Sequence, residues 1–365
     1  MLIEIEGTFN RALVFTNTIE ETAKRQVEEL CSLPFLQDTK IRMMPDLHAG
    51  KGCTVGTTMT VSDKVVPNFV GVDLGCGMIC AKLELKREDI NFEKLDKTIK
   101  KNVPSGTRVR NKEHRHTIEI PFAEVTAPIN ESRARLSLGT LGGGNHFIEL
   151  NEGNDGSIYL VIHSGSRNLG KQIAEHYQQV AYQSLGDAVP KDLAYVEGQN
   201  MKDYLWDLSI AQKYAALNRK TMADVICRGM NWKIESVFDT IHNYIDLDNM
   251  ILRKGAISAQ DGEIVIIPMN MRDGSLICRG KGNPDWNYSG PHGAGRIMSR
   301  SQARKLVALE DFQDSMKDVW STSVVASTVD ESPFAYKDMQ DILAHIEDTV
   351  DVLEVIKPIY NYKAH

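Results

Sequence analysis

The apolar positions along the chain follow two periods. Residues 18–31 and 91–101 repeat at helical spacing, and Thr18 followed three residues later by Glu21 predicts a capping box at the start of the first of these helices. The same spacing predicts helices over 169–185, 198–228, 233–246, 294–308 and 337–347. Residues 1–7 alternate like a strand. Residues 54–61 and 65–82 are β-branched and punctuated by glycine, 351–363 is strand-like, and 251–268 reads as a hairpin turning at Gln260-Asp261-Gly262-Glu263. The run Ile158-Tyr159-Leu160-Val161-Ile162 predicts a buried strand that delivers His163-Ser164-Gly165-Ser166-Arg167 at its end. Helical and strand patterns mix without strict alternation. That predicts an α+β fold, a mixed β-sheet core with surrounding helices, rather than a doubly wound α/β sheet.

Composition narrows this picture. The chain has 365 residues, 42% hydrophobic and 25% charged, enough to bury a substantial core. No Pro/Ser-rich linker, low-complexity tract or internal repeat divides it, so residues 1–365 are expected to form a single large domain. A net charge of −7 argues against gripping nucleic acid through bulk charge; any such contact should come from a local basic cleft. No stretch approaches a membrane span, and the N-terminus lacks the basic start and apolar run of a signal peptide, so the expected location is the cytoplasm. Cys31, Cys53, Cys76, Cys80, Cys227 and Cys278 are scattered, which argues against a disulfide framework, and no CxxC pair marks a zinc knuckle.

Candidate chemistry clusters in glycine-rich segments. His292 stands in Gly290-Pro291-His292-Gly293-Ala294-Gly295-Arg296, where no bulky apolar neighbour buries it and glycines let a phosphate approach; it is a candidate nucleophile toward phosphorus, or a loop histidine with a structural hydrogen bond. Asp73 and Cys76 lie three apart in a glycine turn, a spacing that suits one shared cation, two bridged cations, or a buried cysteine beside a turn aspartate. The triple glycine 142–144 before Asn145-His146 suits a backbone folding around a phosphate or a metal-bound ligand, with Glu149 an acceptor for nucleobase donors or a solvated carboxylate. His163 and Arg167 emerge from the apolar strand, His242 and Asn243 lie on the helix predicted over 233–246, and His48 completes the set of histidines in suggestive settings. One thiolate, one carboxylate and three imidazoles suffice for two divalent cations, and such ligands accept Mn, Fe, Co or Zn. Lys51, Lys171, Arg272, Arg279, Lys281, Arg296, Arg300 and Arg304 are the further basic residues near these motifs.

Taken together, Met44-Pro45-Asp46-Leu47-His48, Gly71-Val72-Asp73-Leu74-Gly75-Cys76-Gly77, Gly144-Asn145-His146-Phe147-Ile148-Glu149, His163-Ser164-Gly165-Ser166-Arg167, His242-Asn243 and His292-Gly293-Ala294-Gly295-Arg296 resemble the RtcB family of GTP-dependent RNA 3′-phosphate ligases, in a compact bacterial-type form. The resemblance implies an α+β domain particular to the family, and an enzyme that uses GTP and Mn²⁺ to join RNA 3′-phosphate or 2′,3′-cyclic phosphate ends to 5′-hydroxyl ends. His292 would carry GMP as a phosphoramidate. Cys76, His146 and His163 would hold one Mn²⁺, and Asp73, Cys76 and His242 a second. Asn145, Glu149, Asn243, Asn270, Ser275, Gly293, Gly295 and Lys363 would contact the nucleotide, with Glu149 reading the guanine edge. Asp46 and Arg167 would line the site for the RNA ends. An archease-type activator is a further partner the family suggests. The loop 268–275 departs from the family pattern: Asn270 stands where a serine is usual, and Arg272 where a glycine is usual. The competing class is a dinuclear metal-dependent phosphoesterase, which has no use for a covalent histidine.

Overall fold

A computed structural model describes residues 3–364. Two large sheets dominate it. A six-stranded sheet runs in the order Ile3–Glu6, Arg11–Val14, Ile41–His48, Val55–Thr60, Ile251–Lys254, Asn243–Asp246. A seven-stranded, wholly antiparallel sheet runs Ile234–Ile241, Gly77–Leu83, Ile158–Ser164, Phe147–Glu152, Val350–Tyr362, Gly274–Gly280, Ile264–Asn270. Strands and helices share the same cores, so the α+β expectation holds. The strand Ile158–Ser164 is buried at every position, as a continuous apolar run between two partner strands should be.

The helix Gly198–Met230 ties the sheets together. Its first half buries Met201, Tyr204, Leu208 and Ala211 in the core of the six-stranded sheet. Its second half buries Met222, Ala223 and Ile226 against the seven-stranded sheet, beside Leu95 and Ile99 of the helix Phe92–Asn102. At 33 residues it is roughly 50 Å long, enough to back both cores. Among the described residues no helix is long and apolar enough to cross a membrane.

Several local expectations are corrected. The helix predicted over 233–246 is two strands, Ile234–Ile241 and Asn243–Asp246, which edge different sheets and meet at His242. As an edge strand, Ile234–Ile241 buries only Thr240 fully, so no period-two signal competed with its accidental helical spacing. The 251–268 hairpin keeps its turn, where Gln260 O accepts from Glu263 N at 3.1 Å, but not its pairing. Ala256–Ser258 pairs with Ser289–Pro291, and Ile264–Asn270 with Gly274–Gly280. Within 65–82, Pro67–Val70 is a short helix and the strand begins only at Gly77. The first helix starts at Glu21 without a side-chain cap, so Thr18 caps nothing. Helix over 294–308 is confined to Arg300–Leu306, opened by a reciprocal capping box between Ser299 and Gln302.

Candidate active site

Antiparallel pairing gathers the candidate ligands at one end of the seven-stranded sheet. Phe147 and Met78 both lie opposite His163, so His146, one residue earlier, and Cys76, two residues earlier, arrive beside it. His242 closes the group from the crossing between the sheets. The ligand atoms then form a continuous series. Asp73 Oδ2 lies 3.0 Å from His146 Nε2, which lies 3.5 Å from Cys76 Sγ. Cys76 Sγ lies 3.3 Å from His163 Nε2, which lies 3.3 Å from His242 Nε2. Cys76 is the middle member, and among the described residues Cys76, His146 and His163 form a group tight enough for one ion.

The electrostatics fit a cation. Burial, then the Asp73 carboxylate, pushes the Cys76 thiol well above its ordinary range. Burial, then the neighbouring imidazoles, pushes His163 and His242 well below theirs, which leaves them neutral, the form that ligates. Burial alone would raise Asp73, but its hydrogen bond and charge interaction with His146 bring it below the usual range. His163 Nδ1 donates to Asn145 O at 3.1 Å, so its Nε2 faces the cluster as a lone pair. Converging lone pairs of a thiol, a carboxylate and three imidazoles suit divalent ions that accept soft and nitrogen ligands.

The six-stranded sheet supplies the other half. Asp46, on the strand Ile41–His48, is fully buried, and its Oδ2 accepts from His292 Nδ1 at 2.6 Å and from the His292 and Gly293 backbone N–H groups at 3.1 and 3.2 Å. A carboxylate only accepts, so Nδ1 holds the proton and His292 Nε2 carries the free lone pair. Gly295 has φ +74°, and a Cβ there would lie 2.6 Å from Asp46 O, so glycine is required for the loop to reach the carboxylate. The His242 and His292 rings lie 5.1 Å apart between centroids. A cavity of about 380 Å³ opens over the cluster, lined by Cys76, His163, His242, His292, Asn145 and Glu149 among others.

A model of the family described as the tRNA-splicing ligase RtcB matches residues 26–131 and 117–364. The chain belongs to the RtcB family. It is 32% identical to the RNA-splicing ligase RtcB of Escherichia coli K12, over 93% of this chain and 94% of that protein. A second Escherichia coli protein, RNA-splicing ligase RtcB2, is 27% identical over 89% and 87%. The tRNA-splicing ligase RtcB of Aeropyrum pernix is 26% identical over 85% and 84%.

In this RtcB chain the remaining candidates take distinct places. Asn145, Asn243, Asn270, Gly293, Gly295 and Lys363 line the cavity with Glu149. Glu149 is buried, not solvated; its Oε1 accepts from Asn361 Nδ2 at 2.6 Å, and burial pushes it up to about 7. Asn270 uses its amide on its own turn, donating to Asp273 Oδ2 at 2.7 Å and accepting from Arg272 N and Asp273 N. Asn243 Oδ1 accepts from Gly255 N at 2.9 Å. Ser275 is fully buried, its Oγ has no partner, and it is Gly274 that reaches the cavity wall. Arg167 also stands behind the wall, where Nη2 donates to Gly106 O at 2.6 Å and Nε to Thr140 Oγ1 at 3.2 Å. Its φ of +57° is strained for a residue with a long side chain, and the preceding Gly165 packs against the Asp73 carboxylate.

Two residues escaped the sequence. Glu331 is buried at the cavity wall, and its Oε2 accepts from Lys363 Nζ and Tyr336 OH, both at 2.9 Å, while Arg296 and Arg300 pair with Oε1. Burial would raise its pKa, but Lys363, then Arg300, hold it at about 2. Arg219 is fully buried and donates to Gly75 O and Ser164 O, both at 2.8 Å, fixing the backbone on either side of the cluster. In sequence, Glu331 is one acid before a proline and Arg219 one basic residue on a long helix; neither carries a local signal.

Proposed function

We propose that this chain is an RNA ligase that joins 3′-phosphate or 2′,3′-cyclic phosphate ends to 5′-hydroxyl ends with GTP, through GMP held on His292. The observation that carries the reading is the buried Asp46 carboxylate on His292 Nδ1. It leaves Nε2 available as a nucleophile at a cavity that Asp73, Cys76, His163 and His242, four of the candidate metal ligands, also line.

His292 Nε2 attacks the α-phosphorus of GTP, and the bond to pyrophosphate breaks. As the ring gains positive charge, Asp46 stabilises it through Nδ1–H. An oxygen of the RNA 3′-phosphate then takes GMP from the histidine. The 5′-hydroxyl attacks that activated phosphorus, the phosphodiester forms and GMP leaves. A cyclic end is first opened by water to the 3′-phosphate. Two Mn²⁺ ions, held among Asp73, His146, Cys76, His163 and His242, would neutralise charge developing on the phosphates. Glu149 accepts from the guanine N1–H and exocyclic amine, a pair of donors that adenine lacks. Lys363, held by Glu331, and Asn145 face the same nucleotide. A dinuclear phosphoesterase would share the cluster but would not need His292 oriented by a buried carboxylate.

Intact-protein mass spectrometry after incubation with GTP and Mn²⁺ tests the reading. One GMP should be gained, labile to acid and stable to alkali. His292→Ala should lose it and keep its metal content. An adduct that persists in His292→Ala would rule the assignment out.

A further inference from the structure

Residues 91–115 carry eight Lys/Arg and three Asp/Glu, a local balance of +5 in a chain of net charge −7. The acids of this segment are already engaged: Glu93 with Lys97, Asp96 with Lys100, and Glu113 with Arg135. The helix Phe92–Asn102, the loop 104–114 and the end of the helix Gly198–Met230 enclose a cavity of about 570 Å³. Lys101, Arg110, Lys112, His114 and Arg228 line it. A second depression of about 470 Å³ continues it along the first helix, sharing Lys101, Asn102 and Gly229. Lys101, Lys112 and Arg228 are exposed. Burial, then the charges of His116, Arg110, Arg115 and Arg228, push His114 down, as cations gathered around it would.

A short chain of contacts separates the trench from the candidate active site. Pro104 lines it, and two residues later Gly106 O accepts from Arg167 Nη2. Arg167 and the His146 ring both lie where a Cβ on Gly142 would fall. Arg110 braces the far wall by donating to Leu138 O and Gly139 O, both at 2.8 Å. The helix gives a scale. Arg219 grips the backbone beside Cys76 and His163, and Arg228 stands nine residues further on, roughly 14 Å along the axis. At about 3.4 Å per stacked nucleotide, that is about four nucleotides from the reacting end.

We propose that this basic trench is the docking path for an RNA strand whose end enters the active site, holding phosphates about four or more nucleotides from the junction. The proposal rests on the RNA-ligase reading above and adds where the strand runs. A trench of exposed cations recognises backbone phosphate rather than base sequence, so it suits an enzyme that must act on ends in many sequence contexts.

The test uses the full chain loaded with Mn²⁺ and a variant carrying Lys101→Gln, Lys112→Gln and Arg228→Gln. Glutamine keeps helix propensity and reach, and none of the three side chains makes an ion pair among the described residues. Self-guanylylation, which needs no RNA, reports that the active site is still built. Binding of single-stranded 12-mers, one ending in a 3′-phosphate and one beginning with a 5′-hydroxyl, is measured against salt, with trinucleotides of each kind alongside. For one of the 12-mers the variant should bind between roughly tenfold and a hundredfold more weakly at 0.1 M salt. The slope of log affinity against log salt should flatten by about 2, since each lost contact on a single strand contributes about 0.7. Trinucleotides should show no difference. Equal affinity and slope for both 12-mers in variant and parent would overturn the trench and leave the ligase reading standing. A parent that takes up GMP but binds neither 12-mer would overturn both.

Discussion

At the scale of single residues, the site depends on which atom of each side chain is occupied. The proposed nucleophile His292 is oriented by its Nδ1–H donating to Asp46, and nothing near His292 in sequence announces that partner 246 residues away. Asp46→Asn should retain both metals yet slow GMP uptake by on the order of 10²–10⁴-fold, followed by intact mass against time. A rate within threefold of the parent would show that Asp46 does not orient the ring. Glu149 makes a pH-dependent case. Its carboxyl, raised to about 7, offers two acceptor oxygens to guanine only when ionised. GTP binding should therefore strengthen as pH rises through 7, about tenfold between pH 6 and pH 8, because the ionised fraction grows by that factor. The KM for GTP in guanylylation reads this out, and Glu149→Gln should be weak and flat with pH. An unchanged profile in Glu149→Gln would mean that another group titrates. The residue types were legible at both positions; their protonation states were not, because burial and partners set them.

At the scale of elements, the decisive feature is the crossing at His242, where one edge strand of each sheet is joined through a single residue. Predictions held for elements whose own burial is strong, such as Ile158–Ser164 and Gly198–Met230. Those that failed were short or edge elements whose partners lie far away in the chain, such as Ala256–Ser258 against Ser289–Pro291. The helix Gly198–Met230 does more than pack. Through Arg219 it clamps Gly75 and Ser164 and pairs with Asp239 at the sheet edge. Arg219→Met would leave two carbonyls and a partly buried carboxylate unpaired, at a cost of about 3 kcal/mol. The urea midpoint should fall accordingly with the slope unchanged. A loss under about 1 kcal/mol would show that water replaces the clamp.

At the scale of the whole molecule, metal and fold should be linked. The five proposed ligands come from segments between residues 73 and 242 that meet only in the folded chain. Mn²⁺ at a hundred times its Kd should therefore stabilise the protein by about 2.7 kcal/mol for each site filled. Denaturant titrations with Mn²⁺ and with excess chelator should separate by that amount, and Cys76→Ala should close the gap. Identical curves with and without the ion would rule out the cluster as a metal centre.

The sequence by itself determined the mixed fold class, the main buried strand and long helix, and the residue types available at the candidate site. Those follow from local composition: runs of apolar residues that must be buried, and glycine-flanked His, Cys and Asp, residue types that offer ligand atoms. Only the tertiary structure decided that Asp46 serves His292, that Glu331 gathers Arg296, Arg300, Tyr336 and Lys363, and that His242 belongs to a strand crossing. Each of these depends on pairing between distant segments. Such pairing is settled by the free energy of assembling the two sheets as a whole, which no window of neighbouring residues contains.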